Sequence, residues 1–136
     1  HMPDKNTKII VVGRVGELGL WYKLSFISFI GNSLNYKEIK TGKNPYEALQ
    51  AKTTVIHGPK MLEPGYEKLV SLGISDIVYD RHDICESLVT YSHYNNRKPK
   101  INSGSDLLAQ NKRMVKIIIE DLDSIYKKRG HGNPLF

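Results

Sequence analysis

The chain has 136 residues, of which 40% are hydrophobic and 25% are charged. This length allows one domain with a buried core, and the composition excludes an intrinsically disordered chain. The formal net charge of +6 favours an anionic partner, such as a nucleotide, a phosphorylated small molecule or a nucleic acid. We assign residues 3–130 to a single α/β domain and residues 131–136 to a C-terminal tail.

The single cysteine, Cys85, excludes an internal disulfide and any metal site built from several cysteines. A reducing cytoplasm is the natural compartment for such a chain. The longest apolar run, Leu18–Ile30, is too short to span a bilayer and is interrupted by Lys23. We therefore expect a cytoplasmic protein without a membrane partner.

The first third of the chain predicts a strand, a helix and a second strand. Lys8–Val12 is a nearly continuous apolar run, which is typical of a parallel strand covered on both faces. Residues 17–32 have the length of a helix and are apolar around more than one stripe, so this helix needs cover on two sides. The more polar segment Leu34–Lys40 indicates an edge strand.

Helix-start and helix-stop residues divide the middle of the chain. Asn44 followed by Pro45 predicts a helix that begins there and ends near Ala51. Thr53–His57 is the third predicted strand, and a compact helix is predicted over Pro64–Leu72.

The stretch Ile74–Asp106 is the best-defined part of the pattern. Ile74–Tyr79 predicts a strand, and Asp83 stands three residues before Glu86 in a capping-box arrangement that starts a helix. Because proline cannot continue a helix, we expect that helix to end before Pro99. The remaining predicted elements are a fifth strand at Lys100–Asn102 and a last helix that is capped by Ser105 and runs to about Arg129.

Alternation of strands and helices predicts an α/β fold with a five-stranded parallel sheet and helices on both faces. This is a Rossmann-like three-layer sandwich, and right-handed crossovers favour the flavodoxin-like strand order 2-1-3-4-5. The apolar first helix, which includes Trp21 and Phe29, predicts a homodimer or a higher homo-oligomer.

Ligands of such folds bind beyond the carboxyl ends of the strands. The loops predicted at that end carry glycines, hydroxyls and cations, which suit a phosphate group at a helix N-terminus. The spacing of the first loop is G-x-x-G-x-x-G, which differs from the full dinucleotide fingerprint. The candidate ligand-binding residues are Gly13, Arg14, Gly16, Lys60, Arg81, Ser103, Gly104 and Ser105.

Candidate catalytic residues follow the third and fourth predicted strands. His57, Asp80 and His82 would emerge at neighbouring strand ends, which lie roughly 5 Å apart in a sheet. Together they could form an acid–base group or, with Asp83, an oxygen-and-imidazole metal site. The structural alternative is that Asp83 caps a helix and that His82 is an exposed loop residue.

Two functions stay open at this stage. The first is a domain that binds a nucleotide or another phosphorylated ligand at the carboxyl ends of its strands, and whether it also acts on that ligand stays open. The second is a non-enzymatic interaction module, which dimerises through the first helix or contacts nucleic acid through Arg97–Lys100 and Lys127–Arg129. Those clusters lack alternating aromatic residues, so they predict only weak, nonspecific nucleic-acid binding. No motif identifies a cofactor.

Overall fold

The computed structural model describes residues 4–14, 16–34, 44–61 and 65–128. Helices and a small sheet make up the regular structure of these residues. In chain order the elements are α1 (Leu18–Leu24), β1 (Ile27–Ile30), α2 (Pro45–Gln50), β2 (Thr54–His57), α3 (Tyr66–Ser71), β3 (Ser75–Ile77), α4 (Arg81–Ser92) and α5 (Tyr94–Lys128).

The three strands form one parallel sheet in the order β1-β2-β3. In the register, Ile30 is the partner of His57, and His57 is the partner of Ile77. All four residues of the central strand β2 are buried, as expected for a parallel strand that is covered on both faces. Helices α2 and α3 lie in the connections that lead into β2 and β3.

The hydrophobic core combines residues of the sheet with residues of four helices, α1, α2, α3 and α5. Gly104 places α5 against this core, where an added Cβ would lie in ordinary van der Waals contact, 3.5 Å from side-chain atoms of both Ile74 and Leu49. The buried apolar residues of the cluster are Tyr22, Ile30, Ala48, Leu49, Val55, Leu69, Ile74 and Leu107.

The longest element is α5, with 35 residues and Pro99 inside it. Proline removes one backbone donor, so the first turns of the helix need other support. Arg97 donates to the Tyr91 carbonyl at 3.0 Å, and the side-chain amide of Asn96 donates to the Thr90 carbonyl at 2.8 Å. Lys100 lies 2.6 Å from the Asp76 carboxylate on β3. These contacts fasten the start of α5 to α4 and to the sheet.

The predicted five-stranded sheet is wrong, and so are the Rossmann-like and flavodoxin-like arrangements. The described residues form three strands in sequence order instead of the order 2-1-3-4-5. Lys8–Val12 has no regular secondary structure and is exposed, because it has no sheet neighbour there. Of the predicted second strand, Leu34–Lys40, only Leu34 lies among the described residues.

The predicted helix over residues 17–32 is also wrong, because it contains both α1 and β1. Ser25 separates them with an extended backbone, and its hydroxyl donates to the Trp21 carbonyl at 2.7 Å. Lys100–Asn102 is helical rather than a strand, and Ser105 lies inside α5 rather than at its start. The predicted helix start at Asn44 and Pro45 is confirmed by α2.

The strands predicted at Thr53–His57 and Ile74–Tyr79 are confirmed by β2 and β3, and the helix predicted at Pro64–Leu72 overlaps α3. The helix expected after β3 exists, but it begins at Arg81 with Asp80 as its N-cap. Within the described ranges no helix has the length and apolar character needed to cross a membrane.

Candidate ligand-binding rim

The carboxyl ends of the three strands meet at one edge of the sheet, because the strands are parallel and paired in register. We call the segments that follow them, residues 31–34, 58–61 and 78–80, the carboxyl rim. The Val78 amide donates to the His57 carbonyl at 2.9 Å, so the ends of β2 and β3 stay paired as the rim begins.

Ser33 and Gly58 join the first two segments of the carboxyl rim. The Gly58 amide donates to the Ser33 hydroxyl oxygen at 2.7 Å, and the Lys60 amide donates to the Ser33 carbonyl at 3.0 Å. A Cβ on Gly58 would lie 2.1 Å from the Ser33 carbonyl oxygen, far inside van der Waals contact. Glycine is therefore required for the two segments to lie this close.

His57 lies directly beneath this contact and is only 2% exposed. Its Nδ1 lies 2.8 Å from the Gly58 carbonyl, so Nδ1 carries the proton and donates. Its Nε2 lies 3.2 Å from the Ser75 hydroxyl, which donates to it in the neutral tautomer. The Tyr66 ring packs edge-on at 4.6 Å. Burial lowers the pKa of His57, against the opposing effects of the Gly58 hydrogen bond and the Asp76 charge.

Both ring nitrogens of His57 are thus engaged within the protein, and the neutral imidazole connects β2, β3 and the carboxyl rim. Its predicted catalytic role stays a prediction. The arrangement itself explains how a buried histidine is satisfied without an ionic partner.

Asp80 and His82 stand at the N-terminus of α4. The Asp80 carboxylate accepts from the His82 and Asp83 amides at 2.7 and 3.1 Å, as an N-cap does. The His82 side chain is 76% exposed, and its Nε2 lies 3.4 Å from Glu86. The Asp83 carboxylate accepts from the Tyr79 amide at 2.7 Å. Their predicted acid–base roles are not tested by this arrangement.

The metal-site alternative for these residues finds no support in the part of the chain that the structure describes. There, no three side chains of the types His, Cys, Asp and Glu are grouped to hold a metal ion.

The other predicted ligand-binding residues divide between those that follow a described strand and those that do not. Lys60 follows β2 on the rim, and Arg81 is the first residue of α4. The loop predicted after a first strand carries Gly13, Arg14 and Gly16, but no strand precedes it among the described residues. The Arg14 guanidinium instead forms an exposed contact of 3.6 Å with Glu17.

The loop predicted at Ser103, Gly104 and Ser105 is wrong, because all three residues lie inside α5. Gly104 is buried against the core, and the Ser105 hydroxyl donates to the Ile101 carbonyl at 2.8 Å. A helix interior has no free backbone amides to offer a phosphate, so the reason for predicting a cradle there is lost.

Sequence reasoning missed a partly buried polar cluster formed by Asp76, Tyr91 and Lys100. Lys100 donates to Asp76 at 2.6 Å and to the Gly73 carbonyl at 3.0 Å, while the Tyr91 hydroxyl donates to the other Asp76 oxygen. Burial, followed by the hydrogen bond to Asp76, raises the pKa of Tyr91 well above its usual range. The three residues are too far apart in sequence for any local pattern to join them.

One comparison with known proteins gives a partial match. Over 59 residues, 43% of its length, the chain is 42% identical to a 3-deoxy-D-manno-octulosonic acid transferase from Haemophilus influenzae. The matched part is 13% of the length of that transferase. No family model matches the chain, and no solved structure gives a significant match.

Proposed function

We propose that the carboxyl rim binds an acidic small molecule, either a nucleotide or another phosphorylated ligand. The observation that supports this proposal is the meeting of three parallel strand ends, with residues 31–34 held against 58–61 by the Ser33–Gly58 contact. Open α/β sheets bind ligands beyond the carboxyl ends of their strands, at a reversal of strand order that the order β1-β2-β3 lacks, so the proposal rests on the meeting of the strand ends alone.

Positive charge supplies the expected chemistry. Lys60 on the rim and Arg81 at the start of α4 carry two of the cations behind the net charge of +6. Asp80 already occupies the N-terminus of α4 with a carboxylate, which would repel a second anion there. We therefore place the acidic group nearer Lys60 and the segment after β2 than the first turn of α4.

The partial similarity suggests which acidic ligands to test first. The similar protein transfers 3-deoxy-D-manno-octulosonic acid, a sugar acid whose carboxylate has the same charge sign as a phosphate. A site for a carboxylate and a site for a phosphate both need a cation and hydrogen-bond donors close together. The single cysteine makes a reducing cytoplasm the compartment that we propose.

Calorimetric titration tests the proposal with named probes: nucleoside monophosphates, inorganic phosphate and 3-deoxy-D-manno-octulosonic acid. We expect at least one probe to bind, and Lys60→Ala to weaken that binding at least tenfold while Lys60→Arg retains it. Lys116→Ala is the matched control, because Lys116 is an exposed α5 residue whose contact is Glu120 in the same helix. Failure of every probe, or equal losses in the Lys60 and Lys116 variants, would count against the rim as a site.

The second candidate is a non-enzymatic interaction module, and exposed apolar surface is the observation that favours it. Leu18, Leu20 and Leu24 of α1 are all exposed, as are several residues of α5. The nucleic-acid version is less favoured, because Arg97 packs over Phe26 and Lys100 pairs with Asp76. Cations that are held within the protein are poorly placed to contact phosphates.

A further inference from the structure

An open cleft of about 480 Å³ lies between the C-terminal end of α2 and the middle of α5. We call it the α2–α5 cleft. Lys52 on its edge stands two residues before β2, whereas the carboxyl rim follows the other end of that strand. The α2–α5 cleft is therefore separate from the rim, and its volume is within the range of small-molecule sites.

Two elements supply the walls of the α2–α5 cleft. Four of its lining residues follow the spacing i, i+3, i+4 and i+7 on α5 and so share one face of that helix: Ser105, Leu108, Ala109 and Lys112. The end of α2 and the residues after it supply the others: Leu49, Gln50 and Lys52. Leu49 is buried in the core and Leu108 packs against it, so the base of the cleft is apolar.

The charged groups of the α2–α5 cleft are all positive. Lys52 and Lys112 belong to different elements but line the same cleft, and none of the described residues that line it is Asp or Glu. Neither ammonium group has a hydrogen-bond or ion-pair partner among the described residues. Lys100 and Lys116, by contrast, lie beside the carboxylates of Asp76 and Glu120. Two unpaired cations at one cleft attract an anion.

The backbone of Lys52 gives a second, independent observation. Its φ is 61°, in the left-handed region. The Lys52 amide donates to the Leu49 carbonyl at 3.0 Å, and the Thr53 amide donates to the Ala48 carbonyl at 3.3 Å, which are the two hydrogen bonds of a Schellman motif. Glycine is the usual residue at this position, because a Cβ disfavours the left-handed conformation.

Backbone conformation therefore does not explain a lysine at position 52, and packing does not explain it either, because the residue is exposed. Two explanations remain for its side chain. One is a favourable interaction of the cation with the C-terminal end of α2. The other is a ligand in the cleft. The first explanation concerns stability and the second concerns binding, so one variant can separate them.

The two lysines and the apolar base indicate the chemical class of the ligand. A phosphate monoester carries a charge of about −1.5 to −2 at pH 7, which matches two ammonium groups better than the single charge of a carboxylate does. Lysine binds phosphate as a point charge on a flexible stem, so lysines from two elements can reach one phosphate group. Leu49 and Leu108 suit an apolar substituent on that phosphate.

We propose that the α2–α5 cleft binds a phosphate monoester with an apolar substituent. Lys52 and Lys112 hold the phosphate group, and the side chains of Leu49 and Leu108 contact the substituent. This site does not depend on ligand binding at the carboxyl rim.

Titration of the full chain with phenyl phosphate, followed by amide NMR shifts, tests the location of the site. We expect saturable shifts at the amides of Gln50, Lys52, Ala109 and Lys112. Inorganic phosphate and benzyl alcohol, which carry only the anion or only the ring, should each bind there about fivefold more weakly or less, because each lacks one set of contacts.

Shifts that do not saturate, or that are confined to other residues, would overturn the proposal, as would equal binding of inorganic phosphate or benzyl alcohol. Saturable shifts confined to the carboxyl rim would support ligand binding at the rim while excluding the α2–α5 cleft. The two proposals therefore fail separately.

Lys52→Gly separates ligand binding from stability. Glycine favours the left-handed backbone, so the midpoint of urea denaturation should stay the same or rise. The affinity for phenyl phosphate should nevertheless fall about fivefold, the effect of losing one exposed charge pair. Lys112→Ala should weaken binding to a similar extent.

Lys68→Ala is the matched control, because Lys68 is an exposed lysine of α3 that is not among the lining residues of the α2–α5 cleft. Its affinity for phenyl phosphate should equal that of the parent. Unchanged affinity in Lys52→Gly or in Lys112→Ala, or an equal loss in Lys68→Ala, would overturn the proposal whatever the stability of the variants.

Discussion

At the scale of single residues, the carboxyl rim depends on Gly58 more than on any residue with a reactive side chain. The space that a Cβ would need is occupied by the Ser33 backbone. The two rim segments therefore have to separate, or the chain has to shift, when any side chain is added at this position.

Gly58→Ala should lower the free energy of unfolding by about 1–3 kcal/mol, the usual range for forcing extra volume into a packed site. Urea denaturation of the parent and the variant measures the difference. Gly31→Ala is the control, because a Cβ there would meet no atom within 4 Å. Equal stability of the two variants would show that Ser33 and Gly58 are not in close contact.

His57 should make the protein less stable in mild acid. Its pKa is lowered in the folded state by burial, so the unfolded chain, with a pKa near 6.5, binds a proton more readily. The free energy of unfolding should therefore fall as the pH drops below about 6.5 toward the folded pKa, and should be insensitive to His57 above that range.

Denaturation of the parent and of His57→Gln between pH 8 and pH 5 measures this effect as a difference, which cancels the carboxylates common to both proteins. The parent should lose more stability than the variant across this interval. Parallel pH profiles would mean that His57 titrates alike in the folded and unfolded chains.

At the scale of elements, α5 shows why a local sequence pattern gave a wrong helix boundary. Contacts between residues that are distant in sequence support this helix beyond the expected boundary. Pro99 is an ordinary signal for the end of a helix, and it led to the predicted strand at Lys100–Asn102. The helix continues because Lys100 reaches Asp76 and Arg97 reaches the Tyr91 carbonyl. By contrast, the start of α2 was predictable, because the Asn44 side chain accepts from Tyr46 only two residues away.

Lys100→Met should lower the free energy of unfolding by about 1–2 kcal/mol, because it leaves the Asp76 carboxylate without its cation in a site with reduced water access. The exposed neighbour Lys98→Met is the control and should change stability little. Thermal unfolding of the two variants compares them directly. A loss of the same size in both would show that the Asp76–Lys100 contact contributes nothing.

At the scale of the whole molecule, the predicted fold was wrong in the number and the order of its strands, although the three strands of the described sheet are parallel. Lys8–Val12 has the composition of a buried strand, but a strand also needs a neighbour, which composition does not reveal. The third and fourth predicted strands, Thr53–His57 and Ile74–Tyr79, were placed correctly because turn residues bound them closely.

The same reasoning applies to the candidate site. His57, Lys60 and Asp80 could be placed near strand ends from the sequence, because each follows a short apolar run. The contact between Ser33 and Gly58 could not be predicted from the sequence. Residues 17–32 have the pattern of one continuous helix, so β1, which precedes Ser33, was not predicted. The burial of His57 could not be predicted from the sequence either, because it depends on Ser75 and Tyr66, which belong to other elements.

The most direct test of the proposed function is an amide-resolved NMR titration of the parent chain with the nucleoside monophosphates and 3-deoxy-D-manno-octulosonic acid. We expect saturable shifts for a bound probe concentrated at Gly58, Lys60 and their neighbours in residues 31–34. Saturable shifts confined to other surfaces, with these amides unchanged, would contradict ligand binding at the carboxyl rim.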